Sequence, residues 1–225
     1  MVSQSSRAVD LIRLSALVRW RPVLFPFEQS ELFAILPERG YVVSESVLNR
    51  RPPYGGRLEV SGIVAHKGTL ALVLDTERPG MGLEGKNAEE LLQEFDDIEQ
   101  YIDHNLRFDS QNHSRFYEID VQALIASDGM TLDHMRQWGE SSPLYGQIEN
   151  TLGHPVSQYG FRICSPTATP GDEDWYDLTF EASLRSAYAY FAFLTFRNPM
   201  RSAVWDVAGR VVEIFQEIAD MMEHG

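Results

Sequence analysis

Cysteine, lysine and long apolar runs are all scarce in this chain of 225 residues. The single cysteine, Cys164, excludes an internal disulfide and any zinc site built from several cysteines. The apolar run at residues 186–196 is far shorter than the roughly 20 residues that a membrane-spanning helix needs. Asp10 and Arg13 interrupt the N-terminal segment, so we expect no signal peptide and, by default, a cytoplasmic protein.

Positive charge is scarce as well, because only Lys67 and Lys86 add to the arginines and the net charge is −14. Residues 1–57 contain eight arginines and five acids, whereas the rest of the chain contains 11 basic and 28 acidic side chains. A protein that wraps nucleic acid usually carries the opposite overall sign. We therefore expect no nucleic-acid partner and no membrane partner.

The segment from Gly80 to Gly85 spells G-x-G-x-x-G, which is the pattern of a dinucleotide-binding loop. That loop requires a strand that runs directly into the first glycine and a helix that has begun by the third. Here Pro79 separates the glycines from the preceding strand, and the helix signal begins only at Asn87, with Glu90 three residues later. The string therefore predicts a turn, a short extended return and a capped helix. We expect no dinucleotide, and no other motif indicates a cofactor.

A hairpin followed by an amphipathic helix occurs twice in the sequence. Alternating apolar residues predict one hairpin at 57–75 and another at 176–196, and apolar residues spaced by three and four predict helices at 88–106 and 201–223. Residues 4–20 fit either a helix or a strand. The pattern predicts an α+β fold, a largely antiparallel sheet with amphipathic helices packed on it and two similar halves. We expect a single domain over 1–225, with internal halves 1–128 and 143–225.

The acids of the first long helix are the densest group of carboxylates: Glu89, Glu90, Glu94, Asp96, Asp97, Glu99 and Asp103. We interpret them as a solvated helix face, because surface helices commonly carry such runs. The histidines lack the spacing of a metal-binding helix, and Cys164 lies in a strand pattern that is typical of a buried, inert thiol. We expect no catalytic constellation and no metal site.

A loop rich in proline and glycine carries the best candidate for a polar site. Arg50, Arg51, Tyr54 and Arg57 surround it, and arginines beside glycine amides bind phosphate or carboxylate groups. The alternative is an exposed loop whose arginines pair with the acidic bulk of the chain.

The second hairpin is unusually aromatic, with Tyr188, Tyr190, Phe191 and Phe193 close together in sequence. Tyr188 and Tyr190 face one side of the predicted strand, and Phe191 and Phe193 face the other. Apolar side chains on both faces are typical of a strand that is covered on both sides. They belong to an ordinary core, to a subunit interface, or to an aromatic-lined ligand pocket.

These observations favour a non-enzymatic soluble protein that acts through protein contacts. We expect self-association as a homo-oligomer, or a protein partner, because the apolar stripe from Val204 to Met221 is broader than one sheet face needs. The alternative is a small-molecule-binding protein with an aromatic pocket between the sheet and the C-terminal helix. A third interpretation is an enzyme that uses metal or phosphate at the acidic helix or the arginine loop.

Overall fold

A computed structural model describes residues 7–22, 24–48, 60–139 and 143–224. The strands in these ranges are β1 (Val9–Trp20), β2 (Val42–Val43), β3 (Ser61–Lys67), β4 (Leu70–Asp75), β5 (Gly80–Gly85), β6 (Ser114–Ala126), β7 (Gly160–Cys164), β8 (Trp175–Ala182) and β9 (Ala189–Asn198). The helices are α1 (Gln29–Ile35), α2 (Glu45–Leu48), α3 (Ala88–Leu106), α4 (Ser110–His113), α5 (Thr131–Gly139), α6 (Pro143–Leu152) and α7 (Arg201–His224), and a 3-10 turn covers Leu36–Arg39.

The strands form one antiparallel sheet in the order β2-β3-β4-β5-β1-β6-β9-β8-β7. β1 and β6 pair along their whole lengths at the centre, from Val9 opposite Ile125 to Trp20 opposite Ser114. Outward from β1 lie β5, β4 and β3, and outward from β6 lie β9, β8 and β7. In each half of the chain the strands are followed by a long helix: α3 follows β5, and α7 follows β9. The predicted α+β fold with two similar hairpin-then-helix halves is confirmed, and the predicted domain boundaries stay a prediction.

The hydrophobic core lies on one face of the sheet. Alternate residues of β1, among them Leu14, Ala16 and Val18, are fully buried there. α3 packs on β5 and β1, α7 packs on β6 and β9, α1 lies beside α3, and α5 lies beside α7. Burial of a large apolar side chain such as Phe215 on α7 stabilises the folded state by roughly 1.5–3 kcal/mol. The opposite surface of the sheet, to which Ser15, Arg19 and their neighbours project, is called the outer face below.

The glycine string forms strand β5 and the approach to α3, as the sequence predicts. A side chain at Gly82 has no room, because a Cβ atom there would lie 2.8 Å from the Ala16 carbonyl oxygen. The Asn87 side chain then accepts a hydrogen bond from the Glu90 amide at 3.0 Å, which caps α3. The glycines therefore have an architectural role, and the helix begins too late to receive a pyrophosphate.

Three local features differ from the sequence-based predictions or extend them. Residues 9–20 form strand β1 and not a helix, because their apolar residues alternate along the centre of the sheet. The helix α5 had no prediction of its own. Cys164 was expected to be buried, but it lies exposed on β7, the last strand of the sheet. Within the described ranges, no helix combines the length and apolar composition of a membrane span.

Candidate functional site

A cavity of about 460 Å³ opens where the central strands end, and five arginines line it. Arg19 and Arg21 come from the end of β1, Arg78 from the turn between β4 and β5, Arg115 from β6, and Arg197 from the end of β9. A volume of this size is typical of a small-molecule site. We call this cavity the arginine pocket. Such a concentration of positive charge is unusual in a chain whose net charge is −14.

Two of these arginines are held firmly by the protein. Arg197 donates from Nε to Glu118 at 2.6 Å and from Nη1 to the carbonyls of Pro170 and Asp172 at 2.8 and 2.9 Å. Its guanidinium also stacks over the Phe116 ring, 4.2 Å from the centroid. Arg19 donates from Nη1 to Asp75 at 2.8 Å and to the Arg78 carbonyl at 2.6 Å. These two side chains order the walls of the pocket.

The other three arginines are anchored only through Nε. Arg21 donates from Nε to the Ser114 carbonyl at 2.9 Å, and Arg115 donates from Nε to Glu173 at 3.0 Å. Arg78 places Nε 3.3 Å from Asp75. Among the described residues, no partner accepts a hydrogen bond from the Nη atoms of these three side chains, and no carboxylate pairs with Arg21. As far as the described residues show, the forked ends of these three side chains are available to a ligand.

The carboxylates around the pocket are largely neutralised by the inner arginines. Burial opposes ionisation of Asp75, yet the Arg78 amide and the Arg19 guanidinium keep its pKa below the ordinary value. Burial and the neighbouring Asp120 raise the pKa of Glu118, although Arg197 acts in the opposite direction. An anion that enters the pocket therefore meets five guanidinium groups, and Glu77 is the one lining acid without an ion pair among the described residues. Arginine forks suit phosphate and carboxylate groups because both offer two oxygens in one plane.

A second cavity, of about 740 Å³, lies beside the junction of α3 and α7. Its lining residues are Gln111, Ser114, Tyr117, Pro199, Arg201, Ser202, Trp205 and Asp206. Behind it the carboxylate of Glu99 is 2% exposed and accepts hydrogen bonds from Ser110 at 2.7 Å and from Arg201 at 2.7 Å. Burial raises the pKa of Glu99 to about 7 and lowers the pKa of Arg201.

A carboxyl group that titrates near neutrality is typical of a general acid or base. Glu99, however, is surrounded by its own hydrogen-bond donors, and the Ser110 hydroxyl also accepts from the Trp20 indole at 2.9 Å. The network fixes α3 against α7 and β6, and leaves the carboxylate no open side for a substrate. The assignment of Glu99 to a solvated helix face was therefore wrong. Asp96 on the same helix accepts from the Trp205 indole at 3.0 Å.

The residues proposed from the sequence do not meet at one site. Arg50, Arg51, Tyr54 and Arg57 lie outside the described residues. Tyr190 is fully buried under α7, whereas Tyr188 is exposed near the start of β9. Phe191 and Phe193 lie half-buried on the outer face, opposite Tyr190. Neither cavity described above has any of these eight side chains among its described lining residues.

Sequence reasoning missed the arginine pocket because its members are far apart along the chain. Only the sheet order brings Arg19 beside Arg197, through Glu118 on the strand between them. One signal was present: each of Arg19, Arg115 and Arg197 stands at the end of a predicted strand, next to a turn or loop. The strand order that unites these ends cannot be read from the spacing of the residues.

No protein-family model matches the chain, and neither a curated protein nor a solved structure shows significant similarity to it. Its function therefore has to be argued from its own residues.

Proposed function

We propose that this protein is a non-enzymatic binding protein whose arginine pocket holds the phosphate or carboxylate group of a small molecule. The observation that carries the proposal is the difference between the two sets of arginines. Arg19 and Arg197 are fixed by buried acceptors, whereas Arg21, Arg78 and Arg115 line the same cavity with Nη atoms that no described residue engages in a hydrogen bond. Arg19 and Arg197 fix the walls of the pocket before a ligand arrives, and such pre-organisation lowers the cost of binding.

The lining chemistry supports binding more than catalysis. Histidine and cysteine are missing from the described lining residues, and the two acids there are Glu77 and the paired Glu118. Phe116 and three prolines supply apolar surface next to the guanidinium groups. This combination favours an anion that also carries an apolar or aromatic part.

The proposal is tested by calorimetric titration of the full chain with inorganic pyrophosphate and, separately, with a dicarboxylate such as succinate. Arg21→Gln and Arg115→Gln each remove a free fork, and a charged hydrogen bond contributes about 1.5–3 kcal/mol. We expect each substitution to weaken binding about tenfold or more. The anion that binds with the higher affinity identifies whether the pocket prefers a phosphate or a carboxylate group.

Arg136→Gln is the matched control, because Arg136 is an exposed arginine on α5 and pairs only with Asp133 at 3.6 Å among the described residues. We expect this variant to bind like the wild type. Absence of saturable binding for both anions, or an equal loss in Arg136→Gln, contradicts the proposed function.

Self-association is a second candidate, and the distribution of exposed apolar side chains favours it. Of the fourteen large hydrophobic side chains that are exposed in the described residues, only Leu24, Val42 and Ile63 precede β6. The other eleven follow it, among them Leu132 and Trp138 on α5 and Met221 on α7. Exposed apolar side chains are common at protein interfaces. We propose that a second copy of the chain covers a part of the second half where such side chains are exposed.

Light scattering at micromolar concentration tests this candidate, and we expect the mass of a dimer. Leu132→Asp places a charge within the exposed apolar set and should give a monomer. Leu24→Asp is the control, because Leu24 is also exposed but precedes β6. A wild-type monomer, or dissociation by both variants alike, removes the candidate without affecting the pocket.

A further inference from the structure

Three side chains of the metal-ligating type meet at the end of the sheet opposite the arginine pocket. Asp128 follows β6, His134 lies on α5, and Glu223 lies in the last turn of α7. One ligand atom from each can be chosen so that all three lie within 4.8 Å of one another. Gly129 leaves room for the imidazole, because a Cβ atom at that position would lie 2.6 Å from His134 Nε2.

One pair of these ligand atoms already has the spacing that a small divalent cation requires. His134 Nε2 lies 3.4 Å from Asp128 Oδ1. Zinc binds histidine nitrogen and carboxylate oxygen at about 2.0–2.2 Å, so two ligands of a tetrahedral zinc ion are about 3.4 Å apart. His224 Nε2 lies 3.5 Å from the other Asp128 oxygen, so a second imidazole is available next to the three residues.

A buried hydroxyl at the same place points independently to a missing polar ligand. Tyr190 is fully buried, and its hydroxyl has no hydrogen-bond partner among the described residues. The hydroxyl lies near the side chains of Ser127 and Glu223, which places it beside the three-residue cluster. An unsatisfied buried hydroxyl is unfavourable, and a metal-bound water would satisfy it.

Negative charge exceeds positive charge around these residues. Arg7 is the guanidinium of the cluster: it donates from Nε to Asp220 at 2.5 Å and pairs through Nη2 with Glu223, while its Nη2 lies 3.9 Å from Asp128. The carboxyl groups of Asp128 and Glu223 lie close together, with one oxygen of each within 4.8 Å of the other. Three carboxyl groups thus face one guanidinium, and a divalent cation would offset the excess negative charge.

We propose that Asp128, His134 and Glu223 form a binding site for a divalent cation of the zinc type. One imidazole and two carboxylates are ligands that zinc accepts, and three protein ligands leave a position for water beside the Tyr190 hydroxyl. The Ser127 hydroxyl donates to Glu223 Oε1 at 2.6 Å and orients that carboxylate. This site is separate from the arginine pocket, and neither proposal depends on the other.

The test is calorimetric titration of the full chain with zinc after dialysis against a chelator. We expect one equivalent to bind, and cobalt in place of zinc to give the intense visible absorption of a four-coordinate site. His134→Gln and Asp128→Asn each remove a ligand and should weaken binding at least tenfold. Circular dichroism checks that both variants are folded, and Asp128, whose side chain is 54% exposed, is the safer position to change.

Arg7→Gln gives a result of the opposite sign, because this guanidinium competes with the metal for Glu223. We expect tighter zinc binding in that variant. His154→Gln is the control, since His154 is an exposed histidine in another part of the chain. Absence of stoichiometric zinc binding, or an affinity that His154→Gln lowers as much as His134→Gln and Asp128→Asn do, overturns the proposal.

Discussion

Arg201 and Glu99 form a largely buried ion pair between the two long helices, with Arg201 Nη1 2.7 Å from Glu99 Oε2. Arg201 is the first residue of α7, and Glu99 lies in the middle of α3. The pair therefore joins the helix of one half of the fold to the helix of the other. A buried pair of this kind fixes geometry more than it adds stability, because both charges lose their hydration.

Arg201→Met should destabilise the protein in a pH-dependent way. Burial raises the pKa of Glu99 from 4.5 to about 7, so its neutral form is favoured in the folded state below that pH. Without Arg201, an ionised and unpaired Glu99 costs about 3–5 kcal/mol. The loss of stability caused by Arg201→Met should be greatest at pH 8. It should shrink as the pH falls from 7 toward 4.5, because in that range Glu99 takes up a proton when the protein folds.

Urea unfolding of the wild type and of Arg201→Met at pH 5 and pH 8 measures this difference. Arg210→Met is the control, because Arg210 on the same helix is exposed and pairs with Glu213 at 3.6 Å. Its effect should stay small at both pH values. If Arg201→Met loses the same stability at pH 5 and at pH 8, Arg201 does not stabilise the fold by compensating the charge of Glu99.

Gly82→Ala should destabilise the fold by roughly 1–3 kcal/mol, the usual cost of overpacking a filled site. The added Cβ would lie 2.8 Å from the Ala16 carbonyl oxygen and 3.0 Å from Leu17 Cβ on the neighbouring central strand. Gly209→Ala is the matched control. Gly209 lies in α7, where a Cβ atom would meet no heavy atom within 4 Å, so that alanine should stabilise by about 0.5–1 kcal/mol. Thermal unfolding in which both variants shift the same way argues against the architectural role of the glycine string.

Asn87→Ala should cost about 1 kcal/mol, because the side chain caps α3 by accepting from the Glu90 amide. Asn105→Ala provides the comparison near the other end of the helix. Asn105 is exposed and donates to the Tyr101 carbonyl at 2.8 Å, so its loss should stay within about 0.5 kcal/mol. Chemical unfolding measures the free energy of unfolding of both variants. Similar losses in Asn87→Ala and Asn105→Ala would mean that the cap does not stabilise α3.

Much of the fold could be predicted because its signals are local. The stripe of α3, the cap at Asn87 and the two hairpins each depend on residues that are close in sequence. Strand β1 was ambiguous because its residues fit both helical and alternating spacing, and only its place between β5 and β6 decides for a strand. Pairing across the centre of the sheet is a long-range property that no single segment encodes.

The candidate sites could not be predicted, because each unites residues from distant segments. Asp128 and Glu223 are far apart in sequence and meet because the last turn of α7 lies against the residues that follow β6. Glu99 stands in a run of acids, and nothing in the run distinguishes the one that faces Arg201. Charge patterns identify an acidic helix, but burial of one member depends on which helix packs beside it.

Cys164 should react in the folded protein, contrary to the buried thiol that its strand pattern predicts. It is exposed at the end of β7, and β7 is the last strand of the sheet, so one of its edges faces no other described strand. Ellman's reagent added without denaturant should therefore modify one thiol per chain, and denaturant should add no further equivalents. Cys164→Ser should give no signal. If the wild type reacts only after unfolding, β7 is covered in solution, which would favour an interface at this edge of the sheet and support self-association.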